Sequence, residues 1–123
     1  MNPYRYTVSL RIRHPKKDPN TFTEKLKIEP KHTKINSTYW SAKVTTPVKV
    51  NSQEIELETQ LENLVNKFKD HSTLFKEIVQ TKGEVEFFIG IFSKENFGLS
   101  FSPKLLNRLS ELNIQLAFDI YPN

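Results

Sequence analysis

The chain has 123 residues and a formal charge of +4, with 37% hydrophobic and 26% charged positions. That length suits a single domain over residues 1–123, and the composition excludes a disordered chain, which would bury too little apolar surface to offset its ordering entropy. The absence of cysteine excludes disulfides and thiol chemistry, and three glycines supply no glycine-rich phosphate loop.

The first predicted element is a strand. Tyr4, Tyr6, Val8, Leu10 and Ile12 alternate with Arg5, Thr7, Ser9, Arg11 and Arg13, which puts one set on a buried face and the other toward water. His14-Pro15 ends it. Asp18-Pro19 then opens a short helix, Asp as cap and Pro at the first helical position. Phe22, Leu26 and Ile28 form its stripe, and Pro30 stops it. Residues 31–37 read as a loop, Tyr39–Thr45 as a second strand, and Val48–Val50 as a further short one.

A long helix is predicted over 53–70, with Leu57, Leu61, Leu64, Val65 and Phe68 on one face. Asn51 and Glu54 resemble a capping box, with Ser52 as a competing cap. A second helix over 73–81 is capped by Ser72 and terminated by Gly83. Glu84–Phe92 reads as a central strand, since apolar residues occupy both its faces. Phe97–Phe101 reads as a short edge strand. Ser102-Pro103 opens a helix carrying Leu105, Leu106, Leu109 and Leu112. Ile114–Tyr121 alternates as a last half-buried strand.

The two ends echo each other as strand, capped Pro-started helix, strand. Side by side they predict an α+β fold: a ferredoxin-like two-layer sandwich, with a mostly antiparallel sheet of four or five strands and helices packed mainly on one face. The 53–81 helices are then an insertion, and the alternative is that they cover the second face and make three layers. The N-terminus turns polar at every second residue, so neither a signal peptide nor a membrane span is predicted, and a cytosolic location follows.

In its patterned segments the chain resembles domain-of-unknown-function family 4279, a set of small, mostly bacterial proteins. The resembling residues are Val8–Ile12, Asp18-Pro19 through Leu26–Pro30, Trp40-Ser41, and above all Gly98–Leu106 continuing through Leu109–Tyr121. Lys27 stands where the family usually shows a glycine before the Ile-x-Pro segment. The resemblance implies no catalytic residue and no cofactor. Some members look like antitoxin (immunity) proteins encoded near toxins, which implies a binding role.

Candidate chemistry is sparse. His14, His32 and His71 share no metal-ligand spacing and read as solvated loop histidines, so no metal site is predicted. No Ser lies in a Gly-x-Ser-x-Gly elbow, and no acid–base pair declares itself, so the sequence leans away from an enzyme. Tyr39-Trp40 follows a basic loop holding His32 and Lys34. Such aromatics serve as protein-interface hot spots or as stacking platforms for nucleic acid, and Trp40 equally fits packing against a helix. The open sheet face predicted to carry Arg5, Arg11 and Arg13, with Gln115, Ala117 and Asp119, becomes part apolar if Phe88 and Phe92 share it.

The leading expectation is therefore a protein-binding module, of the immunity type, using Tyr39, Trp40, Arg5, Arg11, Arg13 and His32. The alternatives are a small-ligand binder or enzyme with a cleft between sheet and middle helices, and a weak nucleic-acid binder using Arg11–Lys17. Fourteen acidic residues among eighteen basic ones argue against the last.

Overall fold

A computed structural model describes residues 2–30, 32–34, 39–44 and 53–122. In chain order the elements are β1 (Tyr4–Arg13), α1 (Pro19–Leu26), β2 (His32–Lys34), β3 (Tyr39–Lys43), α2 (Leu57–Phe68), α3 (Ser72–Gln80), β4 (Glu84–Ser93), α4 (Pro103–Glu111) and β5 (Ile114–Pro122). A 3₁₀ turn, Lys69–His71, joins α2 to α3. The predicted strand at 48–50 and the Asn51/Ser52 caps lie outside the described residues.

The strands form one sheet in the order β2-β3-β1-β4-β5. β1 runs antiparallel to both neighbours, β2 runs antiparallel to β3, and β4 and β5 are parallel. The fold is thus α+β with a mixed sheet, and its N-terminal end departs from the expected plait. β3 lies beside β1 and antiparallel to it, starting opposite Arg13, where β1 has just ended. Length explains this. The eight residues of α1 span about 12 Å, whereas the ten of β1 span about 33 Å. So short a helix does not carry the chain back to the start of β1. At the C-terminal end the extended 94–102 segment and α4 together make the return, so β5 lies parallel to β4. The predicted edge strand at 97–101 is consumed by that return and forms no strand. The predicted loop at 31–37, by contrast, contains β2.

Alternation divides the sheet as the sequence predicts. Tyr4, Tyr6, Val8, Leu10 and Ile12 of β1, with Val85, Phe87, Ile89 and Ile91 of β4, are buried in one core with Trp40, Leu57, Leu61, Leu64, Phe68, Phe75, Ile78, Leu105 and Leu109. Phe68 of α2 meets Phe87 at 6.2 Å between ring centroids. The middle helices therefore share the core face with α1 and α4, giving two layers. Between the sheet and the middle helices, where a cleft was the alternative expectation, a pocket of about 400 Å³ lies between Tyr4 of β1, Leu57 and Glu58 of α2, and residues 97–101.

Helix starts follow the sequence at two places. Asp18 accepts a hydrogen bond from the Asn20 N–H at 2.9 Å, and Ser102 accepts one from the Leu105 N–H at 3.2 Å. The Ser102 N–H in turn donates to Glu58 of α2 at 2.6 Å, so one helix caps another. That bond holds the Glu58 carboxyl below its usual range. α2 itself begins at Leu57, later than predicted. The carbonyls preceding it are engaged by the N-terminus instead: Ile55 accepts from the Tyr6 hydroxyl at 2.9 Å and from Asn2 at 3.1 Å. Burial raises Tyr6 to about 12, with Tyr4 adding to the effect.

Helix ends differ from expectation. α1 stops at Lys27, whose φ of 57° is left-handed, before Pro30 is reached. The tight end forms on a lysine rather than a glycine, at a cost of roughly 1 kcal/mol. At the end of α3 the left-handed residue is Lys82 (φ 74°), and Gly83 follows it. The Gly83 N–H donates to Ile78 and the Lys82 N–H to Val79, which is the Schellman arrangement. Asn113 (φ 59°) takes the same role after α4.

His14 corrects a further expectation, since it is 5% exposed rather than solvated. Its Nδ1 accepts from the backbone N–H groups of Lys16 and Lys17, both at 3.0 Å, and its Nε2 lies 2.7 Å from the Thr81 hydroxyl. Two donors on Nδ1 require a neutral ring with the proton on Nε2. Desolvation, then the charge of Lys17, lowers its pKa from 6.5. Above pH 6.5 both folded and unfolded histidine are neutral, and the contribution to stability is complete. As pH falls from 6.5 toward the lowered folded value, the unfolded state takes up the proton first and stability drops. Urea melts across that window are expected to show this drop in the wild type and a smaller one in His14→Asn.

Candidate functional site: the helix-free sheet face

The face opposite the helices is built by register. Going across β1, β4 and β5, one row is Arg5, Phe92 and Tyr121. The next is Thr7, Gly90 and Asp119, then Ser9, Phe88 and Ala117, then Arg11, Glu86 and Gln115. Tyr39 and Ser41 of β3 extend it beside Arg13 and Arg11. Side chains alternate in each strand, so every second residue faces this side. Gly90 keeps the middle low: a Cβ there would lie 3.0 Å from the Thr7 hydroxyl.

Two clusters occupy the face. In the first, the Arg11 guanidinium carbon sits 3.4 Å from the centre of the Phe88 ring and 6.0 Å from that of Tyr39. Arg11 also pairs with Glu86 at 3.7 Å, and its Nε is buried without a hydrogen-bond partner. Glu86 is 5% exposed and accepts a hydrogen bond from Gln115 at 2.9 Å. Arg13 lies 3.6 Å from Glu84, 3.9 Å from Glu86 and 5.7 Å from the Tyr39 ring centre. In the second cluster, Phe92 and Tyr121 stack at 4.9 Å with an 11° interplanar angle. The Tyr121 hydroxyl donates to Asp119, and that bond raises its pKa.

Arg5, Arg11, Arg13 and Tyr39 thus share this face. Trp40 does not. It is fully buried on the core side, and its indole N–H donates to the Thr23 hydroxyl of α1 at 2.9 Å. Adjacent residues in a strand point to opposite faces, so Tyr39 and Trp40 could not both serve one surface. His32 stands opposite Ser41 in the β2–β3 register, and its side chain lies outside the described part. The missing members of the expected site were Glu84 and Glu86. Their signal was present: Glu84-Val85-Glu86 repeats with opposite charge the spacing of Arg11-Ile12-Arg13.

The face offers guanidinium groups, aromatic rings and carboxylates in contact with one another. Among the described residues no three His, Cys, Asp or Glu side chains converge to hold a metal ion, and no helix is long and apolar enough to cross a membrane. A family model described as Domain of unknown function (DUF4279) matches residues 3–123. The chain belongs to that family. No curated protein and no solved structure matches it. The DUF4279 match takes in every strand that builds the open face, from Arg5 of β1 to Tyr121 of β5.

Proposed function

We propose that the chain is a protein-binding module, of the immunity (antitoxin) type and cytoplasmic, whose contact surface is the helix-free sheet face. The supporting observation is the Arg11 cluster: a guanidinium flanked by Phe88 and Tyr39 and held by Glu86. Arginine and aromatic side chains on a rigid support are the groups that anchor protein interfaces. Charge balance favours a protein over a nucleic acid. Arg11 and Arg13 are matched by Glu86 and Glu84, and Lys17 pairs with Glu77 at 2.6 Å. Phosphate binding needs cations free to release counterions.

The test is affinity for the protein encoded beside this gene, measured by calorimetry with wild type and with Arg11→Ala and Phe88→Ala. Each substitution is expected to weaken binding about 30-fold or more, as truncation of an interface anchor does. Unchanged affinity in both variants overturns the assignment of the face. No binding to the neighbour's product, together with salt-sensitive binding to single-stranded RNA, would replace the protein partner with a nucleic acid.

A further inference from the structure

We propose that β5 is a dimerisation edge, pairing antiparallel with β5 of a second copy to join two sheets into one. β5 ends the strand order, bonded to β4 on one side. No described strand covers its other edge, and among the described residues no backbone partner is bonded to the donors and acceptors along it. Such edges are ordinarily blunted by lysine, by proline, by a bulge or by being short. β5 has none of these along most of its length. Its register with β4 runs unbroken from Val85↔Ile114 to Ser93↔Pro122, and Pro122 comes at the very end. The opposite edge of the sheet, β2, is only three residues long.

The side chains point the same way. Phe118 and Ile120 stand on the helix side of β5, yet they are 40% and 57% exposed. Leu106 of α4, 47% exposed, faces a groove of about 440 Å³ running along Ile114–Leu116. A second groove of about 520 Å³ lies between Ile120 and the Ser93–Phe97 segment. The helical layer stops short of the strand edge, and apolar surface remains uncovered there.

Charge selects a second copy as the occupant. Asp119 is the only charged residue in β5. In a two-fold antiparallel register centred on Phe118, Phe118 meets its own symmetry mate, Leu116 meets Ile120, and Asp119 meets Ala117. No charge opposes itself, and apolar residues oppose apolar ones on the helix side. An isologous contact needs this self-complementarity, and the strand supplies it without help from another sequence.

Analytical ultracentrifugation of the full chain tests the inference. Wild type at about 100 µM is expected to sediment at twice the 14.4 kDa chain mass. Ile120→Lys, which places a charge at the exposed edge, is expected to be monomeric with an unchanged circular dichroism spectrum. Hydrogen exchange on the wild type supplies a second readout: β5 amides are expected to lose protection on dilution into the monomer range. A monomeric wild type, a dimeric folded Ile120→Lys, or β5 protection independent of concentration would each overturn the proposal. None of these outcomes bears on the Arg11 face, whose variants lie on other strands.

Discussion

Trp40→Ala is expected to lower the unfolding free energy by about 3–5 kcal/mol, the usual cost of truncating a large buried aromatic. Trp40 has no exposed surface, lies opposite Ile12 in the β1–β3 register, and ties α1 to the sheet through Thr23. Its removal leaves a cavity bounded by sheet and helix, with Thr23 deprived of its donor. A small domain has about 5–15 kcal/mol in total, so this variant will be partly unfolded under mild denaturant. Urea melts check the figure. Trp40→Phe keeps most of the volume and loses the N–H, so its cost should be nearer 1–2 kcal/mol. That variant also separates core from interface. Folded Trp40→Phe should keep the affinity of wild type for a protein partner, while Arg11→Ala loses affinity and keeps the fold. A Trp40→Ala protein as stable as wild type would show that the indole contributes nothing to the core.

The sequence made some of this legible through patterns that act locally. The alternation of β1 assigned Tyr4, Tyr6, Val8, Leu10 and Ile12 to the core and the arginines to the other face, because a strand's period is fixed by backbone geometry. Asp18-Pro19 and Ser102-Pro103 marked two helix starts, because the caps satisfy N–H groups within a few residues. Helix ends were harder. Left-handed backbone at Lys27, Lys82 and Asn113 is imposed by the turn that follows each helix, and two of these residues have no intrinsic preference for it. Strand direction was harder again. Whether β3 returns parallel or antiparallel depends on comparing the length of α1 with that of β1, and no single segment displays that comparison. Within the site, the arginines and aromatics were visible by alternation, whereas the role of Glu86 depended on which strand became β1's neighbour. His14 resembled any turn histidine, because its burial is created by Thr81, distant in sequence.

That same junction carries the second large effect. Gly83→Ala is expected to cost about 2–4 kcal/mol, well above the usual price of an exposed substitution. The φ of Gly83 is not left-handed, so the requirement is close approach. A Cβ there would lie 2.6 Å from Ile78 Cγ2, 2.8 Å from the Arg13 carbonyl oxygen and 2.8 Å from His14 Cδ2. None of the three can yield easily. Ile78 is fully buried, the Arg13 carbonyl belongs to the backbone of β1, and the His14 ring is held at both nitrogens. The other glycines provide the contrast. Gly98 has open space around its would-be Cβ, so Gly98→Ala should be neutral or slightly stabilising, by up to about 0.5 kcal/mol. Gly90→Ala should fall between, since the Thr7 hydroxyl that it meets can rotate away. Thermal melts of the three variants should rank them Gly83, Gly90, Gly98 in decreasing damage. The cause is separable as well. In Gly83→Ala combined with His14→Ala, one of the three contacts is gone, so the double variant should lose less than the sum of the single losses. Strict additivity would show that the histidine ring takes no part in excluding a side chain at position 83.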